Sequence, residues 1–202
     1  MADKKTIGPW TINAENVVYE NPWLTLRHHD VIHPDGSDGI YGVVHYKNLA
    51  IGILPLFEDG SVPIVGQHRF PLDAYSWELP EGGGPHGEDP LESAKRELSE
   101  ETGYSATNWA VLGEADLSNS VSDERALMFL AWGLVAGVSQ PEASEELAHD
   151  RISFGQLLDR CLGGGARDAL TQLMVLHALA QYGRGELPEG AAQRIKRGLE
   201  GA

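Results

Sequence analysis

Short apolar segments separated by turn residues dominate the first third of the chain. Between Val17 and Gln67 five segments are rich in β-branched and aromatic residues, namely VVYE, WLTLRHHDVI, IYGVVHYK, LAIGILPLF and SVPIVGQH. The intervening NP, HPDGSDG and EDG are typical of turns. The pattern predicts consecutive antiparallel strands, with another short strand at AYSWELP before a glycine-rich loop, EGGGPHGEDP.

The apolar spacing then changes to that of a helix, which we predict from Asp89 to Glu101. Asp89 suits the N-cap, Pro90 suits the first helical position, and Glu92 stands where a capping-box carboxylate belongs. Gly103 is expected to end the helix. The face turned toward the core is expected to carry Leu91, Ala94 and Leu98.

The remainder of the chain contains two strand-like segments and then helical ones. Residues 108–115 and 125–138 have the composition of strands, and SFGQLLDRCL opens with Ser153 and Gln156 at capping-box spacing. ARDALTQLMVLHALAQY has the pattern of an amphipathic helix, whereas the segment from Arg184 onward is expected to be a frayed short helix or disordered. This order of elements predicts an α+β sandwich with helices packed on a mixed sheet.

Composition narrows the possible partners of the chain. Its 202 residues suit one domain, and 15 basic against 30 acidic residues give a net charge of -15, which disfavours nucleic acid as a partner. Small anionic substrates remain compatible with this charge if metal ions mediate the contact.

The apolar runs are too short to cross a membrane and MADKKTIGPW lacks the apolar core of a secretory signal, so we expect a cytoplasmic protein. Because Cys161 is the one cysteine, an intramolecular disulfide and a thiolate metal cage are excluded.

Acidic side chains crowd one face of the predicted helix. Glu97, Glu100 and Glu101 stand at i, i+3 and i+4, which places them on nearly one face. One interpretation is a solvated acidic face on which Arg96 pairs with neighbouring glutamates. In a cleft, however, two carboxylates about 4 Å apart would repel by roughly 4 kcal/mol at an effective dielectric constant near 20. A cleft would therefore require a cation, and oxygen ligands favour Mg²⁺ or Mn²⁺.

The residues around this helix follow a longer pattern of fixed spacing. The pattern comprises Gly82, Glu88, Arg96, Glu97, Leu98, Glu100, Glu101, Gly103 and Tyr104. It resembles the Nudix box, except that the family usually has an aliphatic residue where this chain has Tyr104. The resemblance implies a hydrolase that cleaves nucleoside diphosphates linked to another moiety. It also implies an α+β protein with a Nudix-type α/β/α sandwich, a mixed β-sheet and, here, an N-terminal antiparallel β extension.

The resemblance assigns roles to residues of the box. Glu97, Glu100 and Glu101 would be ligands of Mg²⁺ or Mn²⁺, with the backbone carbonyl of Glu81 as a possible further ligand. Arg96 would orient a glutamate through a bidentate pair. Two further positions would be structural, because Gly82 would let the loop turn and Glu88 would anchor the loop to the helix.

The segment before the box is similar to that of ADP-ribose and other nucleotide-sugar pyrophosphatases. It reads VGQHRFPLDAYSWELPEGG, and the similarity implies that Arg69 holds the diphosphate or the terminal sugar and that Glu78 lies near the substrate cleft. A surface salt bridge for Arg69 and a structural role for Glu78 are the alternatives. ADP-ribose pyrophosphatases are expected to have a proline where this chain has Asn119, so GDP-mannose type substrates stay open.

The resemblance further implies a catalytic glutamate, acting as a general base, in a loop after the last sheet strand. The segment EASEELAHDRISF offers Glu145 and Glu146, of which Glu145 is favoured, and a solvated loop acid is the alternative. The expected reaction is Mg²⁺-dependent hydrolysis of a nucleoside diphosphate sugar, of the ADP-ribose or GDP-mannose type, to a nucleoside monophosphate and a sugar phosphate. The alternatives are a Nudix pyrophosphatase for a nucleoside triphosphate, a dinucleoside polyphosphate or a CoA-like molecule, and a non-catalytic nucleotide-sugar sensor.

The resemblance also implies an organisation of the chain. Residues 1–48 would form an N-terminal β-strand region used for dimerisation, residues 49–183 the hydrolase domain, and residues 184–202 a C-terminal tail. A homodimer is expected, with a small nucleotide sugar as the substrate and neither nucleic acid nor membrane as a partner.

Overall fold

The structure is a computed structural model that describes residues 5–137 and 146–201. The chain divides into two compact units, which are described separately. The first contains the residues up to Leu49 together with Asp116–Arg125, and the second contains Ala50–Ala115 and the residues from Ala126 onward. Within the described ranges, no helix combines the length and the apolar character that a membrane crossing requires.

The first unit is an antiparallel sheet. Its strands, in spatial as well as chain order, are β1 (Thr6–Ile7), β2 (Trp10–Glu20), β3 (Leu24–Ile32) and β4 (Asp38–Tyr46). The loop that contains Asn119 is attached to β4, since the Val44 amide donates to the Val121 carbonyl at 2.8 Å and the Tyr41 hydroxyl donates to the Ser120 carbonyl at 2.6 Å. The prediction of consecutive antiparallel strands is confirmed for this part of the chain.

The second unit contains two further sheets. Its strands are β5 (Asn48–Leu56), β6 (Ser61–Arg69), β7 (Ala74–Glu78), β8 (Glu81–Pro85), β9 (Tyr104–Asp116), β10 (Arg125–Ala136) and β11 (Ala148–Ser153). One sheet has the order β8-β5-β10-β9 and the other has the order β11-β6-β7. Because β5 pairs in parallel with the distant β10, the prediction of consecutive antiparallel strands is wrong for β5, whereas the consecutive strands β6 and β7 do pair antiparallel. Parallel pairing joins segments far apart in sequence, which local patterns do not reveal.

The described part of the chain contains four α-helices: α1 (Pro90–Thr102), α2 (Phe154–Leu162), α3 (Ala169–Arg184) and α4 (Glu189–Glu200). At the start of α1 the Asp89 carboxylate accepts from the Leu91 amide at 3.0 Å, which confirms the predicted N-cap. Glu92, which was expected to complete a capping box, does not do so, because its carboxylate accepts a hydrogen bond from Lys95. Gly103 ends the helix with a φ of 74°, as predicted. The predicted capping box that opens α2 is also present, with both of its hydrogen bonds at 3.1 Å.

Helices cover both faces of β5. A Cβ atom on Gly84 of β8 would meet the Ile51 side chain at 2.9 Å and Ser93 of α1 at 3.1 Å, so Ile51 faces α1. The next residue, Gly52, faces Met174 of α3, whose methyl carbon would lie 2.9 Å from an added Cβ. Since successive strand residues face opposite sides, α1 and α3 pack on opposite faces. This is the expected α/β/α arrangement, and it explains why residues 51–56 of β5 are all buried.

Three elements differ from the sequence expectations. Residues 81–85, expected in a glycine-rich loop, form β8, and the short charged segment 148–153 forms β11 because it pairs along β6. The expected frayed or disordered tail instead contains α4. This helix is stabilised by packing, because its buried positions recur on one face; they are Ala191, Ile195 and Gly198.

The turn between β5 and β6 fixes the position of α4. Glu58 forms ion pairs with Arg194 and Arg197 of the helix. Next to it, Gly60 has a φ of 82° and approaches Gly198 so closely that a Cβ atom on Gly198 would lie 2.2 Å from the Gly60 carbonyl oxygen. Two glycines are therefore required where the turn and the helix meet.

We predict that Gly198→Ala lowers the free energy of unfolding by about 1 to 3 kcal/mol, because the added methyl group overpacks this contact. Urea unfolding followed by circular dichroism measures the change. Gly183→Ala in α3 is the matched control, since its Cβ would meet nothing within 4 Å, and it should be neutral or stabilising by up to about 1 kcal/mol. Equal effects of the two substitutions would contradict the prediction.

Candidate active site

The acidic face of α1 lies against β8. A Cβ atom on Gly82 would be 2.2 Å from the carboxyl carbon of Glu97, so only glycine allows this carboxylate to rest on the strand. The expectation that Gly82 lets a loop turn is wrong, because the residue lies within β8 and has no positive φ. Its role is to allow close approach of a side chain to the backbone.

Glu101 is the most buried of the three box glutamates. It is 3% exposed, and its Oε2 atom accepts a hydrogen bond from the Glu81 amide at 3.0 Å. This bond joins the end of α1 to the start of β8 and places the Glu101 carboxylate beside the backbone of Glu81. The main-chain carbonyl of Glu101 also has a partner, because the ring of His149 bonds to it at 2.5 Å.

Arg96 lies among several acceptors at the edge of the acidic face. Its Nη2 atom donates to the carboxylate of Glu97 and to the carbonyl of Gly83, both at 3.0 Å. Its Nε atom is 3.7 Å from Glu100 and its Nη1 atom is 3.5 Å from Glu88. The guanidinium therefore bridges several groups, whereas a bidentate pair with a single glutamate was expected. Glu88 also accepts from the Ser93 hydroxyl at 2.6 Å, which connects the end of β8 to α1.

The two predicted substrate-binding residues contact each other. Arg69 Nε lies 3.0 Å from both carboxylate oxygens of Glu78, which is buried, and its Nη2 atom donates to Glu81 at 2.5 Å. Burial alone would lower the pKa of Arg69, but the hydrogen bond to Glu78 and the charges of Glu81 and Glu78 raise it on balance. Arg69 thus forms the ion pair that the sequence left open as an alternative, in a partly buried setting.

Asp168 joins this group, and sequence reasoning missed it. Within the described part of the chain, carboxylate oxygens of Glu78, Glu81 and Asp168 lie within 4.8 Å of one another. Locally Asp168 is only the N-cap of α3, where it accepts from the Thr171 amide at 2.6 Å. A cap residue before an amphipathic segment is visible in the sequence, but its proximity to β7 and β8 is a tertiary feature.

The donor set of this region fits a divalent cation. The Oε2 atom of Glu81 is buried and has no hydrogen-bond partner among the described residues. Burial raises the pKa of Glu81 well above its usual range, and the charges of Asp168 and Glu78 raise it further. A buried carboxylate among other carboxylates requires either a proton or a cation nearby. Oxygen donors of this kind suit Mg²⁺ or Mn²⁺.

A cleft opens beside the Arg69 and Glu78 pair. It has a volume of about 420 Å³, and its lining includes Arg69, Tyr75, Glu78, Arg167 and Asp168. Of the two candidates for a general base, Glu146 is exposed, two residues before β11, and Glu145 lies outside the described residues. The structure thus brings together Arg69, Glu78, Glu81 and the acidic face of α1, and it leaves the predicted base unassigned.

The fold and these acidic side chains define an α/β/α protein with a cluster of carboxylates at a glycine-containing strand. Residues 46–172 match the model of the NUDIX domain, and residues 10–44 match that of the nucleoside diphosphate sugar hydrolase N-terminal domain. The chain therefore belongs to the Nudix family, as the box predicted.

Curated relatives support the same branch of the family. An ADP-ribose pyrophosphatase of Mycobacterium tuberculosis is 36% identical over 139 residues, covering 68% of this chain and 66% of that protein. An ADP-ribose pyrophosphatase of Bacillus subtilis is 30% identical over 66% of this chain and 71% of that protein. A CMP-5'-(N-acetyl-N-hydroxy-3-aminopropyl)phosphonate hydrolase of Streptomyces rubellomurinus is 32% identical over 68% of this chain and 67% of that protein. The aligned part thus spans about two thirds of each relative.

A solved structure supports the fold. The crystal structure of an ADP compounds hydrolase superposes with a TM-score of 0.79, covering 91% of this chain and 100% of that one, at 19% sequence identity. At this identity the similarity concerns the fold alone. The predicted α+β class and Nudix-type sandwich are confirmed.

We predict that Gly82→Ala weakens Mn²⁺ binding about 10-fold or more, because the methyl group would displace the Glu97 carboxylate. Titration of the metal-free protein with Mn²⁺, followed by electron paramagnetic resonance, measures the affinity. Gly42→Ala, in β4, is the control, because its Cβ would meet nothing within 4 Å. Unchanged affinity in a folded Gly82→Ala protein would show that the Glu97 contact does not matter for the metal.

Proposed function

We propose that the protein hydrolyses the pyrophosphate bond of a nucleoside diphosphate sugar, of the ADP-ribose or GDP-mannose type, in a reaction that depends on Mg²⁺ or Mn²⁺. The products are a nucleoside monophosphate and a sugar phosphate. The observation that carries the proposal is the packing of the acidic face of α1 on β8, where Glu97 rests on Gly82 and Glu101 accepts from the Glu81 amide.

In this proposal the carboxylates of Glu97, Glu100 and Glu101 would hold the metal, with the backbone carbonyl of Glu81 as a further ligand. Divalent cations held there would supply Lewis-acid chemistry, because they would lower the pKa of a water molecule and offset the negative charge that develops during hydrolysis. Arg96 keeps Glu97 and Glu100 in place through the contacts described above. Without cations, these carboxylates would repel an anionic substrate.

The remaining roles belong to groups at the cleft and beyond it. Arg69 lines the cleft beside Glu78, and we assign Arg69 to the diphosphate or the terminal sugar and Glu78 to holding the guanidinium in position. For accepting the proton of the attacking water we keep Glu145 and Glu146, with Glu145 favoured. The names of the relatives, which include ADP-ribose pyrophosphatases, support a diphosphate-linked substrate.

If the protein is an enzyme, the alternative is a Nudix pyrophosphatase that acts on a different nucleotide. If it is not an enzyme, the alternative is a nucleotide-sugar sensor. The complete set of box glutamates favours catalysis, since a sensor has no need of every metal ligand. We further propose a cytoplasmic protein that does not bind nucleic acid or membranes, with residues 49–183 as the hydrolase region.

Glu101→Gln is expected to lower turnover of ADP-ribose and GDP-mannose with Mg²⁺ about 100-fold or more, the equivalent of roughly 2.7 kcal/mol in the activation free energy, because a metal ligand is lost. Chelation of the metal with EDTA should abolish activity in the parent protein. The released nucleoside monophosphate is quantified by liquid chromatography.

Glu92→Gln is the matched control, because Glu92 lies on the same helix and pairs with Lys95 at the surface. It should retain the activity of the parent. Turnover by Glu101→Gln within a few-fold of the parent would contradict the metal assignment. Tight binding of a nucleotide sugar by the parent without product would instead favour the sensor.

The N-terminal region is proposed to form a homodimer through residues 1–48. Its sheet exposes apolar side chains at Val17, Val18, Tyr19, Trp23 and Ile40. Apolar side chains that a partner chain covers are typical of homodimer interfaces. Because strand composition does not distinguish an interface from a core, the proposal is decided by the measured mass in solution.

Sedimentation equilibrium should give the mass of two chains for the parent protein. Trp23→Arg combined with Ile40→Arg should shift the equilibrium toward one chain, because charge is placed on the proposed interface. Leu162→Arg is the control, since Leu162 is 70% exposed and lies at the end of α2. A monomeric parent would rule out the dimer.

A further inference from the structure

The carbonyl of Glu101 lies in the last turn of α1, where carbonyl groups lack partners within the helix. Nearby carbonyls are satisfied locally, because Thr102 Oγ1 donates to Leu98 and the Gly103 amide donates to Ser99 at 2.9 Å. The Glu101 carbonyl is satisfied from a distant part of the chain, by Nε2 of His149 at 2.5 Å. The ring nitrogen must carry its hydrogen at Nε2 for this bond, since a carbonyl can only accept.

Glu101 is thus held at two points. Its carboxylate accepts from the Glu81 amide, and its carbonyl accepts from His149. The first bond sets where the carboxylate lies relative to β8, and the second sets where the helix end lies relative to β11. Both the side chain and the main chain of this residue are therefore tied to other strands of the second unit.

The hydrogen bond from His149 to the Glu101 carbonyl links α1 to β11. His149 is the second residue of β11 and pairs with Val65 of β6. His149 lies three residues after Glu146. The strand that carries His149, β11, therefore begins shortly after the segment that contains the two candidate bases. One hydrogen bond therefore connects the helix of the box glutamates to the strand that follows those bases.

We infer that His149 is a positioning residue for the proposed hydrolysis: its Nε2–H group, bonded to the Glu101 carbonyl, holds the Glu101 carboxylate in the geometry that binds the metal. The inference rests on the proposed function. His149 itself contacts neither substrate nor metal in this assignment, and it acts through Glu101. Hydrogen-bonded supports of metal ligands typically change metal affinity or activity about 10- to 100-fold when they are removed.

A pair of variants isolates the hydrogen bond from the bulk of the side chain. His149→Gln keeps an N–H donor. His149→Met introduces a side chain similar in length and shape to glutamine but without an N–H donor. Asp150→Asn is the control for disturbance of β11, because Asp150 is the exposed neighbour on the same strand and lies 3.8 Å from Arg160. All three are compared with the parent by unfolding midpoint, by Mn²⁺ affinity of the metal-free protein, and by kcat and KM.

His149→Met is expected to weaken Mn²⁺ binding or lower kcat by about 10- to 100-fold, with KM changed less than about threefold. His149→Gln should restore both quantities to within about threefold of the parent, and Asp150→Asn should leave them unchanged. Restoration by glutamine is the result that a purely structural role would not produce.

Three results would overturn the inference. Parent-like Mn²⁺ affinity and kcat in His149→Met would show that the bond is not needed. Equal impairment of the glutamine and methionine variants would show that the ring matters for packing. Loss of folding in the methionine variant would show a structural role.

The metal titration separates this inference from the proposed function. If the parent protein hydrolyses no nucleotide sugar, the proposed function fails. The ratio of Mn²⁺ affinities of His149→Gln and His149→Met still decides whether the histidine positions a metal ligand.

Discussion

The concentration of carboxylates beside β8 is the constraint on which the rest of the site depends. Glu81 and Glu101 are largely or fully buried there, where like charges repel far more strongly than at an exposed helix surface. Two arginines offset part of this charge: Arg69 pairs with Glu78 and Glu81, and Arg96 pairs with Glu97. The Oε2 atom of Glu81 is buried without a hydrogen-bond partner among the described residues, and a divalent cation is one group that could satisfy it.

Close approach of the backbone makes this concentration of charge possible. Gly82 has no side chain, so the carboxylate of Glu97 rests directly on β8. Gly84 likewise leaves the space in which Ile51 and α1 approach the strand. In the sheet beneath, residues 51–56 of β5 are buried and the strand pairs in parallel with β10. Functional side chains carried on packed strands and helices are positioned more accurately than side chains on loops.

Much of the fold and of the candidate site could be predicted from local pattern. The α1 helix with its Asp89 cap and Gly103 end, the capping box of α2, and the acidic face of α1 all depend on residues within a few positions of one another. The missed features involve distant residues. The β5 and β10 pairing, β11 along β6, and α4 on the turn at Gly60 gain stability only from partners far along the chain.

The sequence by itself determined that three glutamates share one helix face beside a glycine-rich segment, because helix geometry converts spacing directly into direction. The resemblance of the longer pattern to the Nudix box indicated the family. Only the tertiary structure decided what the face meets. It placed Glu97 on Gly82, brought Asp168 to within 4.8 Å of Glu78 and Glu81, and bonded His149 to the Glu101 carbonyl. Contacts of this kind depend on how β-strands and helices pack in three dimensions, which no local pattern in the chain encodes.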